Sequence, residues 1–254
     1  PGNAIGLAMI AVVGQCCGAH AYDQAKFYTK KLMQIVYLCM GTLNILMLLC
    51  NPHNPAGRVW TADELTKLND ICMKHGVKVI SDEIHCELIM KGHTYIPFAS
   101  LSDESLHNSI TLNSPTKAFN IAGLQIANVV ACDEDVRHKI DRAININEIC
   151  DVNPFGVLAL QAAYNEGAEW LDSLNEYLYD NYLELRRFFS ERMPNIGVTH
   201  LEGTYLVWAD IRSTGMTSDA LTEKLLKEGH VMVNSGTMYG KTAGEGFLRI
   251  NIAC

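Results

Sequence analysis

The sequence has no Cys-x-x-Cys pair, no His-Glu-x-x-His and no two histidines four residues apart, although it carries nine cysteines and nine histidines. Structural zinc needs ligands at short paired spacings, so no metal site is expected. The cysteines (Cys16, Cys17, Cys39, Cys50, Cys72, Cys86, Cys132, Cys150 and Cys254) are odd in number and scattered through apolar stretches. They read as small buried hydrophobes in a reducing, cytoplasmic compartment rather than as a disulfide framework. Clusters of Lys and Arg are missing too: 20 basic residues are spread among 28 acidic ones, for a net charge of -8. A phosphate backbone would need a basic stripe, so nucleic acid is not an expected partner. Repeats and low-complexity segments are absent. With 254 residues, 48% hydrophobic and 19% charged, the chain is globular in composition and long enough for one large α/β domain or one and a half ordinary ones.

One apolar run has to be explained. From Leu32 to Cys50 nineteen residues pass without a charge behind Lys30 and Lys31, the length of a membrane span. Gln34, Thr42 and Asn44 interrupt it, Gly41 splits it, and Asn44 to Cys50 leads into the turn Asn51-Pro52-His53-Asn54-Pro55 as a buried strand does. A strand is therefore expected there and no membrane span. The start at Pro1-Gly2 carries no signal peptide and the end at Cys254 stops inside an apolar run, so both ends read as cut.

Further along, apolar β-like runs alternate with amphipathic helices, the pattern of a parallel sheet covered by helices. Thr61-Ala62-Asp63-Glu64 is a capping box that predicts a helix over 62–75, closed by Gly76. Strands are expected at Val77–Ile80, Asn108–Leu112 and Ile126–Cys132, and helices at Asp133–Asn147, from Pro154 to Asn165, and at Ala168–Arg192 before Pro194. Trp170, Tyr177, Phe188 and Phe189 on the last of these read as packing residues. A strand at Thr204–Ala209, a helix at Ser218–Glu228 and strands near Val231 and Phe247 suggest a smaller α+β part. The expected division is a large domain over 1–170, with a mostly parallel, doubly wound sheet, and a small C-terminal domain over 171–254.

Three segments place polar residues where a buried strand ends, which is where open α/β sheets bind ligands. Asn51 to Gly57 is a rigid turn or a ligand-facing one. Ser81-Asp82-Glu83-Ile84-His85 is a helix cap or a pair of working carboxylates. In Ser114-Pro115-Thr116-Lys117-Ala118-Phe119-Asn120 the lysine suits a phosphate clamp, a Schiff base or plain solvation.

Taken in order, NPHNPAGRVW, SDEIH, SPTKAFNIAGLQ, GTYLVWAD and GFLRINIAC resemble the fold-type I enzymes that use pyridoxal 5'-phosphate (PLP). The likeness is strongest to the branch of cystathionine β-lyases and other C–S lyases beside the class I and II aminotransferases. It implies the PLP-dependent transferase fold, with Lys117 as the amine joined to the cofactor aldehyde, which requires a lysine able to lose its charge. Asp82 would face the pyridine nitrogen as a buried carboxylate and keep the ring an electron sink. Asn54 would donate to the ring oxygen, with His85 at or near the same oxygen. Ser114 and Thr116 would donate to the phosphate, helped by backbone amides at Gly2, Asn3 and Ala4. Tyr28, after Gly18, would stack on the ring, and Arg249 would clamp the substrate carboxylate with a bidentate fork. Gln125 stands where many aminotransferases carry an arginine.

The resemblance also implies a homodimer acting on small amino acids. Roughly two dozen residues expected between Tyr28 and Asn51 are lacking. His85 and Gln125 favour β-elimination from cystathionine or cysteine conjugates, giving a thiol, pyruvate and ammonia, over transamination. A regulatory protein that keeps the PLP fold is a third reading.

Overall fold

The computed structural model describes residues 19, 21–43, 46–149 and 151–253, the side chains of 35–43 excepted. The chain divides into two compact units, Pro1–Met47 with Cys72–Lys78, and Leu48–Ile71 with Val79–Cys254. In the first unit lies helix α1, Tyr22–Leu43, so the charge-free run is helical in its first half. Among the described residues no helix is long and apolar enough to cross a membrane.

The fold is α/β. Strands β1 (Leu46–Cys50), β2 (Lys78–Asp82), β3 (Ser109–Asn113) and β4 (Asn128–Val130) form one sheet in the order β1-β2-β3-β4. β2 and β3 run parallel, with Val79 opposite Ser109 and Asp82 opposite Leu112, while β4 closes the edge antiparallel to β3. The expected buried strand at 44–50 is a strand with one open side: Leu49 is buried, but Leu48 is 68% exposed.

Helix α2 (Ala62–Lys74) starts as its capping box requires. Glu64 accepts from the Thr61 backbone N–H at 3.0 Å, and Thr61 Oγ1 accepts from the Glu64 N–H at 3.3 Å. Arg58 joins the same carboxylate at 2.6 Å and covers the ring of Trp60. A short helix α3 (Asp103–Asn108) feeds β3. Helix α4 (Glu134–Ile146) begins at Asp133, whose carboxylate accepts from the Val136 N–H at 3.1 Å. Helices α5 (Pro154–Glu166) and α6 (Ala168–Arg192) follow as the periodicity predicts.

The second sheet is antiparallel throughout. Its strands β5 (Gly197–Val198), β6 (Leu206–Asp210), β7 (Asn234–Ser235) and β8 (Phe247–Asn251) are ordered β5-β6-β8-β7, and helix α7 (Ser218–Gly229) connects β6 to β7. No strand forms at Val231, because His230 takes a left-handed conformation as α7 ends and extended pairing resumes only at Asn234. The core of this half gathers Leu88, Met90, Ala118, Leu178, Tyr182, Leu201, Val207 and Ile252, so α6 packs its apolar stripe between residues of both sheets' connections.

Two expectations about side chains need correction. Among the described cysteines only Cys72 is buried; Cys50 and Cys86 are half-buried, and Cys132 is exposed with its sulfur 3.6 Å from His107 Nε2. On α6, Tyr177 and Phe188 point largely to solvent, because the stripe that faces the core is Leu171, Leu174, Leu178 and Tyr182.

Candidate functional site

The turn after β1 is tied down before its polar groups are aimed. Asn51 is fully buried: its N–H donates to Asp82 O at 3.0 Å, its side-chain amide donates to Ile96 O at 3.0 Å, and its Oδ1 accepts from the Trp60 N–H. Gly57 has φ +70° and sits so close to Leu201 that a Cβ would lie 2.5 Å from its Cδ1, so a side chain there is excluded on two grounds. Its carbonyl accepts from the N–H groups of Glu202 and Gly203. Within this frame the half-buried Asn54 accepts at Oδ1 from Arg249 Nη1 at 3.1 Å, across 195 residues of sequence.

At the end of β2 neighbouring carboxylates separate. Asp82 is exposed, and one of its oxygens accepts from the Ile84 N–H at 3.2 Å. In the chain by itself Asp82 is therefore open, since strand alternation turns it to the open side and its neighbour inward. Glu83 is the buried acid, accepting from Ser81 Oγ at 2.8 Å, from the Phe98 N–H at 3.0 Å and from the Tyr95 hydroxyl. That role was readable from period two along the strand: Val79, Ser81 and Glu83 share a face.

His85, only 2% exposed, meets the edge of the Tyr205 ring at 5.5 Å. Burial first, and then the charges of Lys117 and Arg249, push its imidazole down to about 4. It is therefore neutral near pH 7, and its buried Nδ1 has no hydrogen-bond partner among the described residues.

Lys117 lies on the turn after β3. Ser114 and Thr116 are buried there and face each other: Ser114 Oγ donates to Thr116 Oγ1 at 2.8 Å or to Ile126 O at 2.5 Å, and it accepts from the Thr116 N–H. The half-buried Lys117 makes no hydrogen bond or ion pair among the described residues. It lines a cavity of about 310 Å³ with Ala118, Asn120, Trp170, Leu174 and Tyr205. Trp170, read from sequence as a packing residue, both stacks on Phe119 at 5.4 Å and walls this cavity.

Arg249 comes from the middle of β8, between β6 and β7. Asn54 and Asn234 accept from its two terminal nitrogens, and the Tyr239 ring lies 4.8 Å from its guanidinium carbon. Its Nε is buried without a partner, and no carboxylate pairs with it among the described residues. Asn234, Tyr239 and Tyr205 escaped the reading of the sequence: strand pairing sets Asn234 opposite Arg249, while a 3-10 turn brings Tyr239 to Arg249 and the segment before β6 brings Tyr205 to His85.

Asn54, His85, Lys117 and Arg249 thus come together, with Asp82 at the open strand end beside them. Tyr28 lies on α1 in the other unit, 40% exposed, its ring edge against Phe27. Asn3 and Ala4, like Gly2 and Gly18, lie outside the described residues. Gln125 is exposed, in a left-handed conformation at the end of a short 3-10 turn. Chemically, the gathered groups offer a primary amine, a fixed cation without an anion and a neutral imidazole.

Comparison with known proteins places the chain in a family. Cystathionine beta-lyase PatB of Bacillus subtilis (strain 168) is 42% identical over 209 residues, covering 82% of this chain and 54% of that protein. A PLP-bound structure from Clostridium difficile 630, provisionally called an aminotransferase, superposes with a TM-score of 0.80 at 48% identity over 82% of this chain and 54% of the other. The PLP-bound C–S lyase of Staphylococcus hominis gives a TM-score of 0.73 at 35% identity, again over 82% and 54%. The chain spans about half the length of the relatives it matches. The family described as aminotransferase class I and II matches residues 35–254, and the chain belongs to that family.

Proposed function

We propose that this chain carries the cofactor and substrate residues of a PLP-dependent carbon–sulfur β-lyase, which eliminates a thiol from cystathionine or a cysteine conjugate and leaves pyruvate and ammonia. The observation that carries the reading is the meeting of Lys117, His85 and Arg249: among the described residues neither cation has a carboxylate partner, and His85 is held neutral first by burial and then by the two charges.

The residues fit the cofactor. Two buried nitrogens, His85 Nδ1 and Arg249 Nε, have no partner among the described residues. Asp82 has an open carboxylate to offer a ring N–H, and Asn54 stands beside Arg249. Thr116 Oγ1 has its own proton to donate to a phosphate when it accepts from Ser114, whereas Ser114, whose one proton goes to Thr116 Oγ1 or to Ile126 O, would have to release that acceptor. Asn3, Ala4 and Tyr28 keep the roles the resemblance gives them, as phosphate donors and ring stacker.

Pyridoxal phosphate, when bound, supplies an aldehyde that condenses with amines and a ring that takes up electron density from the carbon beside the substrate nitrogen. Arg249 receives the substrate carboxylate through its fork, displacing the bond to Asn54 or sharing it. With its amine free, Lys117 would take the α-proton at Nζ. His85 stays uncharged next to both cations and adds no third positive charge. The thiol departs from the β-carbon, and water completes release of pyruvate and ammonia.

The names of PatB and of the Staphylococcus hominis enzyme support elimination, as do His85 and Gln125. The Clostridium difficile structure's name keeps transamination as the second reading. A homodimer in the cytoplasm, acting on small amino acids, belongs to the same proposal, as does the division into a PLP-binding part over 1–170 and a smaller part over 171–254. The separate sheets on either side of α6 support that division.

Purified full-length protein incubated with cystathionine should release pyruvate, and Lys117→Ala should lower that rate by about 10²–10⁴-fold or more. Amino transfer to an added keto acid without pyruvate from cystathionine would instead establish the aminotransferase.

A further inference from the structure

Away from this site, two histidines separated by 107 residues meet head to head. His93 Nε2 lies 3.3 Å from His200 Nε2, the ring centroids are 5.3 Å apart, and the ring planes are inclined by 56°. His93 is half-buried and His200 exposed, and both belong to the larger compact unit.

The backbone explains why they meet. Ile89 bridges Gly203, Met90 N–H donates to Glu202 O at 2.9 Å, and Thr204 N–H donates to Leu88 O at 2.7 Å. These bonds run the segment after His85 against the segment that leads into β6. His93 and His200 stand at the outer end of that seam.

We propose that His93 and His200 form a two-imidazole binding site for a divalent transition metal ion such as Zn²⁺ or Ni²⁺. Two metal–nitrogen bonds of about 2.0–2.1 Å at a tetrahedral angle separate their nitrogens by about 3.3 Å. Rings aimed at that common ion, each adding about 1.2 Å from nitrogen to centroid, place their centroids about 5.2 Å apart. Both separations agree with those of this pair, and a borderline-soft ion is what neutral imidazole selects over Mg²⁺ or Ca²⁺. Among the described residues no third His, Cys, Asp or Glu completes a cluster, so the ion keeps solvent in its remaining positions. Its effect is mechanical. An ion here ties the stretch carrying His85 to the stretch carrying Tyr205; the two rings meet, and Tyr205 lines the cavity beside Lys117.

The test is titration of the full chain with NiCl₂ alone, followed by calorimetry and by thermal unfolding. His93→Gln or His200→Gln is expected to weaken this binding event at least about tenfold and to remove the Ni²⁺-induced rise in unfolding midpoint. His138→Gln, at a distant exposed histidine, is expected to change neither. The unmodified protein gives a second readout: substoichiometric Ni²⁺ should broaden the ring resonances of His93 and His200 together. Unchanged affinity in either single variant, or broadening of only one of the two, overturns the proposal.

Discussion

Two buried polar groups lie two residues apart and are treated oppositely by the fold. Around Glu83 both carboxylate oxygens have donors, from Ser81, Phe98 and Tyr95, and burial with the Glu83 charge pushes the Tyr95 phenol far up. Around His85 and Arg249, Nδ1 and Nε have no partners among the described residues. Native structures satisfy nearly all buried polar atoms, so a satisfied cluster is architecture, and an unsatisfied one beside a cavity is prepared for something else. The contrast separates support from site more sharply than residue type does, since an adjacent Asp and Glu would read alike in sequence.

The contrast can be broken at either end. Glu83→Ala should remove about 3–4 kcal/mol of stability, because it strands a buried N–H and two hydroxyls; urea unfolding measures it, and a loss no larger than a surface change would mean that the cluster is not structural.

His85 gives a slightly smaller effect with a definite sign. Its pKa falls from about 6.5 in the unfolded chain to about 4 in the folded one. Between those values the unfolded chain binds the proton and the folded chain does not, so stability is lost as pH drops from about 6.5 toward 4, by about 3 kcal/mol at most. Comparing wild type with His85→Gln across that range should show the difference in unfolding free energy shift with pH; a constant difference would refute a neutral buried His85.

Arg249→Lys sharpens the other end. A point charge on a flexible stem cannot keep the forked bonds to Asn54 and Asn234, so kcat/KM should fall by about 10–100-fold, mostly through KM, with unfolding barely altered. An equal loss of stability would move Arg249 from the site into the architecture.

How much of this was legible varies with how local the cause is. The α2 capping box and the bounds of α6 follow from short-range hydrogen bonds and period, and the structure reproduces them. The burial of strand faces was less legible. Asp82 was read as a buried acid and is exposed, and Leu48 lies on an open side of β1, because which face of a strand is covered depends on elements far along the chain. Trp170 was read as packing, and it also walls the Lys117 cavity, since a helix residue's second neighbour is set by where the helix docks.

Ordered motifs, rather than any single one, carried the family: five segments in sequence place an amine and an acid at strand ends and an arginine within a strand, and chain order preserves that information without coordinates. What the linear chain could not encode was the meeting of Asn54 with Arg249, of His85 with Tyr205, and of His93 with His200. Each pair joins residues more than a hundred positions apart, and only the packing of one sheet's connections against the other's brings such distant groups within a hydrogen bond or a ring contact.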